Sequence, residues 1–226
     1  MGIQARTDYN SDGLDEDTFA SSPLAQIQEW VDAALEQQEA KGNVPEPMAI
    51  HLATVDADGF PDVRTVLMRL LEGRGLAFFT NIDSVKGQQI QAQDHVAAAL
   101  VWPSMFRAIR FRGVAVPVSR EDVLEYHQSR PYGSRIGAWA SAQSQLAATR
   151  EVVHTAYREL EERFPDHGNV DDVPLPEHWG GWWIEPTSVE FWAGRRSRLH
   201  DRLRLTRTGQ GDLSDLSAWT MERLQP

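Results

Sequence analysis

The feature that most constrains this chain is a run of short strand-like segments, closely spaced and separated by turn signals. Met48–Val55 and Val63–Leu70 flank Asp56-Ala57-Asp58-Gly59, which suits a hairpin turn because Asp side chains bond nearby N–H groups and Gly accepts positive φ. Gly73 and Gly75 punctuate the next turn, and further strands are expected at Gly75–Asn81, Ala97–Trp102 and Arg107–Val118. Toward the C-terminus four more are expected, at Gly181–Ile184, Ser188–Trp192, Leu199–Thr206 and Trp219–Leu224. Strands this short, interrupted by helices, fit a closed antiparallel barrel decorated with helices better than a doubly wound sheet. No strand–Gly-rich loop–helix unit is present for a dinucleotide site.

The helices have their own signals. Pro23–Lys41 carries Leu24, Ile27, Val31, Ala34 and Leu35 at helical spacing, with Ser22 as its cap and Gly42-Asn43 as its end. Asp83 or Ser84 can cap a short helix to about Gln93. Ser119-Arg120-Glu121-Asp122 starts another, and a long helix is expected over Ala147–Phe164. Residues 1–22 are polar and acidic and read as a mobile N-terminal arm.

Composition then narrows the chemistry. With 33 Asp+Glu against 22 Lys+Arg the formal charge is −11, which argues against broad nucleic-acid binding. The absence of cysteine excludes disulfide scaffolds, thiolate metal sites and cysteine nucleophiles. The seven histidines form no metal-ligand spacing, so no metal is expected, and no Gly-x-Ser-x-Gly elbow occurs. No apolar run is long enough to span a bilayer and the N-terminus has no signal-peptide core, so a cytoplasmic location and no membrane partner are expected.

Against that acidic background the basic clusters stand out. In Arg195-Arg196-Ser197-Arg198-Leu199-His200-Asp201-Arg202-Leu203-Arg204, a strand would put Arg198, His200, Arg202 and Arg204 on one face and Leu199, Leu203 and Leu205 on the other. Such a face either receives phosphate or carboxylate or is an edge strand paired with acidic residues from elsewhere. A second cluster is Arg64-Thr65-Val66-Leu67-Met68-Arg69. A third is Thr80–Lys86, where a strand runs into a helix N-terminus suited to a phosphate. A fourth runs from Tyr126 through Arg130 and Ser134 to Gln143-Ser144, and lines a pocket or satisfies a loop. Trp179, Trp182, Trp183 and Trp192 suit either the core or an aromatic cofactor wall.

Together these elements resemble the pyridoxamine 5'-phosphate oxidases, flavin enzymes of the split-barrel fold. The resemblance rests on Arg-Thr-Val-Leu-Met-Arg (64–69), Phe-Phe-Thr-Asn (78–81), Ser-Arg-Pro (129–131), Ile-Gly-Ala-Trp (136–139) and Gln-Ser (143–144). It continues through Trp-Gly-Gly (179–181), Glu-Phe-Trp (190–192), Arg-Leu-His-Asp-Arg (198–202) and Glu-Arg-Leu-Gln-Pro (222–226), nearly the whole chain in colinear order. It implies a homodimer of mainly β split barrels with helices, residues 23–226 forming one FMN-binding domain that includes the C-terminal dimerisation and substrate region. It implies oxidation of pyridoxamine or pyridoxine 5'-phosphate to pyridoxal 5'-phosphate, with O2 reduced to hydrogen peroxide.

By position, the family's FMN contacts fall on Arg64, Thr65, Val66, Leu67, Phe79, Thr80, Lys86, Gln143, Ser144, Trp192 and Arg202. Its substrate-phosphate contacts fall on Arg69, Tyr126, Arg130 and Ser134. Arg198 and His200 fall where the family holds the substrate ring and are the implied catalytic pair. Arg6 and Tyr9 match an Arg-x-x-Tyr arm that folds over the substrate. Arg69, Val85 and Ala108 depart from the family's usual Lys, Arg and Gln. The alternatives are an FMN oxidase of another small aromatic, as in phenazine-pathway relatives, and a non-catalytic flavin- or haem-binding split barrel.

Overall fold

A computed structural model describes Asp8, Tyr9 and residues 11–226; Arg6 lies outside the described residues. Among these residues nine strands form one antiparallel sheet: β1 (Ala49–Val55), β2 (Pro61–Leu67), β3 (Leu70–Glu72), β4 (Gly75–Asn81), β5 (His95–Trp102), β6 (Arg107–Pro117), β7 (Trp179–Ala193), β8 (Asp201–Arg207) and β9 (Trp219–Arg223). The strand order is β2-β1-β5-β6-β7-β4-β3, with β8 on β7 and β9 on β8.

The sheet forks at β7. One edge of β7 pairs with β6, while the other pairs first with β4 (Asn81↔Trp179 to Leu76↔Ile184) and then with β8 (Ser188↔Thr206 to Ala193↔Asp201). This is the expected split barrel. The fork replaces the two strands expected at 181–184 and 188–192 by one continuous strand, in which the intervening Glu185-Pro186-Thr187 forms a bulge opposite Arg112/Gly113. Gly113 is required there: a Cβ on it would lie 2.1 Å from the Glu185 carbonyl oxygen.

Two other strand boundaries also differ from expectation. The strand expected over Val63–Leu70 breaks at Met68, because Met68 N–H donates to Met48 O and Arg69 N–H to Ala77 O, so the chain changes partner. Leu199–Thr206 begins only at Asp201. Before it, Arg196–Arg198 makes a 3-10 turn with Ser197 and Arg198 at φ 57° and 63°. Arg198 and His200 therefore share no strand face with Arg202 and Arg204, and Leu199 is 68% exposed instead of joining Leu203 and Leu205 in the core.

Among the described residues five α-helices pack around the sheet: α1 (Pro23–Lys41), α2 (Val85–Ala92), α3 (Arg120–Ser129), α4 (Tyr132–Ala140) and α5 (Arg150–Arg163). The caps are those the sequence indicates, with Ser22 accepting from Ala25 N–H and Gly42 at φ 64°. Ile27, Trp30, Val31 and Ala34 of α1 pack into the core beside Ile50, Leu52, Leu100, Ile109 and Phe191; Leu35 faces outward. Burying side chains of this size stabilises the fold by roughly 1.5–3 kcal/mol each. α4 is not among the expected helices, since its N-cap is Pro131 and supplies no side-chain cap. The long helix is α5, shorter at its start than expected. From Ser11 the N-terminal stretch lies on the body of the protein: Ser11 N–H and Oγ both donate to Gly194 O, and Leu14 is buried. Among the described residues no helix is long and apolar enough to cross a membrane.

Candidate active site

The β4–α2 junction builds one side of a cleft of about 580 Å³. Ser84 caps α2 by accepting from Gly87 N–H, and the adjacent Asn81 carboxamide accepts from Asp83 N–H. These bonds turn the chain so that Lys86 points back under β4. Its Nζ donates to Thr80 Oγ1 at 3.2 Å, Ser84 Oγ at 3.0 Å and Gln143 Oε1 at 3.0 Å. Lys86 is only 7% exposed, and among the described residues no carboxylate pairs with it. Burial, with the Arg64 charge adding to it, lowers its pKa to about 8. A buried ammonium held by neutral oxygens alone suits an incoming anion.

Strand β2 supplies the facing wall with Arg64, Thr65, Val66 and Leu67. Arg64 is held by Asp62 at 2.6 Å, Gln89 Oε1 at 3.1 Å and Thr54 Oγ1 at 2.6 Å. The third wall brings in the end of α3. Tyr126 stacks on Phe79 with ring centroids 4.0 Å apart, and the Arg130 guanidinium sits 4.5 Å over the Trp179 ring. Arg130 Nη1 is buried with no partner among the described residues. Burial lowers Arg130, Tyr126 opposes that, and the Arg69 charge adds to the lowering. His127 beside it is fully buried and pushed down to about 4, first by burial and then by Arg130, Arg135 and Arg120, so it stays neutral. Ser144 completes the rim at φ 72°.

The cleft is thus lined by four cations and one carboxylate, Asp62. A phosphate-bearing ligand with a flat ring system matches this set: a carboxylate-free lysine, an orphaned guanidinium N–H, and stacked aromatics beside them. The site residues missing from the sequence reading are Asp62, Gln89 and Trp179 as Arg130's support. Asp62 was findable, since it precedes Arg64 by two positions and so shares its strand face.

The other expected residues lie elsewhere. Trp179 begins β7 and Trp192 nearly ends it, a contour of roughly 40 Å at ~3.3 Å per residue. Ala108, Trp192 and Arg202 lie in register across β6, β7 and β8. Arg202 donates to Glu190 at 3.0 Å and to Gln225 O at 3.0 Å. His200 packs with Trp192 at 4.8 Å and Tyr9 at 5.4 Å between centroids, and Tyr9 packs on Phe106 at 4.9 Å. Arg198 is exposed in the preceding bend, and Ser134 is exposed on α4 outside the cleft lining. One protomer therefore carries two separate groups of the expected residues. A larger groove of about 680 Å³ crosses the outer sheet face, but there Arg110 and Arg204 are ion-paired with Glu190 and Glu222.

Comparison with known proteins places these features. A family model described as "Pyridoxamine 5'-phosphate oxidase" matches residues 36–164, and one described as "Pyridoxine 5'-phosphate oxidase C-terminal dimerisation region" matches residues 179–226. The chain is 44% identical to a pyridoxine/pyridoxamine 5'-phosphate oxidase of Kineococcus radiotolerans over 98% of this chain and 97% of the relative. It is 43% identical to one of Bordetella petrii, over 98% of this chain and 97% of the relative. Among solved structures it resembles PhzG from Burkholderia lata, solved with tetrahydrophenazine-1-carboxylic acid, at TM-score 0.80 and 28% identity over 96% of this chain and 99% of that one. With both family models matched in order and near-complete coverage of these relatives, the chain belongs to the pyridoxamine 5'-phosphate oxidase family.

Proposed function

We propose that the protein is an FMN-dependent oxidase acting on pyridoxamine 5'-phosphate and pyridoxine 5'-phosphate. The observation that carries this reading is the pair Lys86 and Arg130. Lys86 is buried and Arg130 is half-buried with its Nη1 atom enclosed; among the described residues neither has a carboxylate partner, and both line one cleft, so two phosphates have places to go. When bound, FMN would supply the redox chemistry, a two-electron oxidation of the substrate at C4' with O2 as final acceptor; with water completing the amine reaction, the products would be pyridoxal 5'-phosphate, hydrogen peroxide and, from the amine, ammonia.

The protein's part is binding and orientation. Arg64, Lys86, Thr80, Gln143 and Ser144 would hold the FMN phosphate, with Thr65, Val66, Leu67 and Phe79 along the cofactor. Arg69, Tyr126 and Arg130 would take the substrate phosphate, and Ser134 would join them through a shift of α4. Because Trp192, Arg202, Arg198, His200 and Tyr9 lie at the far end of β7, the reading requires a second subunit. In a homodimer the Trp192 end of one protomer faces the Lys86 cleft of its partner. Arg198 would then pack against the substrate ring, His200 would hydrogen-bond its 3-oxygen, and the arm with Arg6 and Tyr9 would close over it. A cytoplasmic location belongs to the same proposal.

The test is oxygen uptake by the purified yellow protein. Pyridoxine 5'-phosphate should be oxidised well and unphosphorylated pyridoxine poorly. A preference for an unphosphorylated aromatic carboxylate would favour the reading suggested by PhzG, and a colourless or haem-coloured protein would overturn both.

A further inference from the structure

The bend that carries His200 is tied down by a carboxylate with no part in the reaction just proposed. Asp201 follows His200 at the start of β8, and its side chain is 16% exposed. Its Oδ2 accepts from Leu14 N–H at 3.1 Å and from Arg195 Nε at 2.7 Å, and its Oδ1 accepts from Arg223 Nη1 at 2.9 Å. One carboxylate thus joins the N-terminal stretch, the bend, β8 and β9. Arg223 doubles the tie by donating to Leu14 O at 3.1 Å and to Glu16 Oε1 at 2.9 Å. Burial raises the Asp201 pKa, but bonds from Arg195 and Leu14 and the Arg195 and Arg223 charges outweigh it and hold the group below the usual carboxylate range. It stays ionised at neutral pH.

The tie reaches His200 through the backbone. Arg195, gripped by Asp201 through its side chain, donates its main-chain N–H to His200 Nδ1 at 3.0 Å. An accepting Nδ1 puts the proton of the neutral ring on Nε2. Tyr9 and Trp192 flank that ring, and Tyr9 belongs to the same stretch that Ser11 and Leu14 fasten to the bend. Between Arg195 and His200 the chain passes through two left-handed residues, Ser197 and Arg198, which side chains other than glycine adopt only when their surroundings hold them.

We propose that Asp201 is a positioning residue: it clasps the N-terminal stretch to the 194–200 bend and so fixes the orientation and tautomer of His200. The inference rests on the oxidase reading, in which Arg198 and His200 meet the substrate ring. Asp201 itself touches neither substrate nor flavin in this scheme.

The experiment compares the holoenzyme with Asp201→Asn, Asp201→Glu and Arg223→Gln. Three readouts are taken: FMN affinity by fluorescence, kinetics with pyridoxine 5'-phosphate, and the His200 tautomer by nitrogen NMR of histidine-labelled protein. In wild type His200 should be the Nε2–H tautomer. Asp201→Asn should mix the tautomers and lower kcat/KM by about tenfold, the loss of one charge-assisted bond, with FMN affinity unchanged. Asp201→Glu should recover part of the loss. Arg223→Gln removes one leg of the clasp and should move the same readouts less, which keeps the test decisive should Asp201→Asn misfold. An unaltered tautomer and normal kinetics in Asp201→Asn, or unaltered readouts in Arg223→Gln where the first variant misfolds, would overturn the inference. If wild type oxidises no phosphorylated substrate, the oxidase reading falls instead, and the tautomer measurement still decides whether the clasp exists.

Discussion

At the Trp179 end of β7, Lys86, Arg69 and Arg130 have no carboxylate partner among the described residues, and only Arg64 is paired, with Asp62. At the Trp192 end the cations that touch the sheet and the N-terminal stretch are committed. Arg195 binds Asp201, Arg202 binds Glu190, and Arg223 binds Glu16 and Asp201; Arg196 and Arg198 are left exposed. The same residue types thus serve opposite ends. Of the three unpaired at the Trp179 end, Lys86 is buried, Arg130 is half-buried with an enclosed Nη1, and Arg69 is exposed; an unpaired cation out of water is costly until an anion arrives, so Lys86 and Arg130 mark where a ligand's charge belongs. Paired cations spend their hydrogen bonds on fixing a bend and leave ring contacts to neighbours. Partner status thus separates Lys86 and Arg130 from the scaffolding Arg195 and Arg223, whereas Arg64, assigned to the FMN phosphate, is also ion-paired with Asp62.

The largest effect that would break this contrast is at Lys86. Lys86→Ala removes a charged hydrogen-bond partner worth roughly 1.5–3 kcal/mol, so FMN should bind about 10- to 100-fold more weakly. The variant should purify pale and regain colour with excess FMN; flavin retained as tightly as in wild type would remove the basis for the assignment. Next in size is Arg130→Ala. It should raise KM for phosphorylated substrate by about tenfold or more while leaving FMN affinity intact, as measured by oxygen uptake beside flavin titration. At the other end, Arg198→Ala should lower kcat/KM by at least about tenfold, or roughly 1.4 kcal/mol, with the bound flavin unchanged. A mutant at the Trp192 end that bleached the protein through lost phosphate contacts would blur the division between the two ends.

How far the sequence reveals these two ends follows the same division. The β1–β2 hairpin is legible because its signal is local: Asp56 accepts from Asp58 and Phe60 N–H groups, and Gly59 sits at φ 84°. So is the Lys86 junction, where Ser84 and Thr80 lie within six residues of the lysine that they hold. The bend at 194–200 is not. Its alternation of Arg, Leu, His and Arg has strand period, and its left-handed residues are Ser and Arg, neither of which favours positive φ. What overrides the alternation is a set of long-range bonds, Asp201 to Leu14 and Arg223 to Glu16, that no local window contains. Likewise α4 starts after a proline that provides no side-chain cap, so a helix there is decided by packing of Ile136 and Ala138.

The smallest effect expected is one of pH, and it sharpens the contrast because it belongs to the unpaired end alone. In the ligand-free protein burial and Arg64 hold Lys86 near pKa 8, below its ordinary 10.5. A bound phosphate favours the ammonium and raises that pKa, so binding is linked to proton uptake wherever the free lysine is neutral. The phosphate itself contributes no change in this range, since its second ionisation lies near pH 6. FMN affinity should therefore be near its maximum at about pH 7 and fall roughly fourfold by about pH 8.5. The stability of the ligand-free protein carries the opposite sign. Below about 8 the folded protein bears the full burden of a buried ammonium. Between about 8 and 10.5 the unfolded chain holds the proton that the folded one has released, so stability from this group rises with pH. Lys86→Arg keeps a charge throughout and should flatten the FMN profile; Lys86→Met should flatten the stability profile of the ligand-free protein. Flavin titration and denaturant unfolding across this window measure the two slopes separately, and slopes of the same sign would show that the lysine is not the anion's partner.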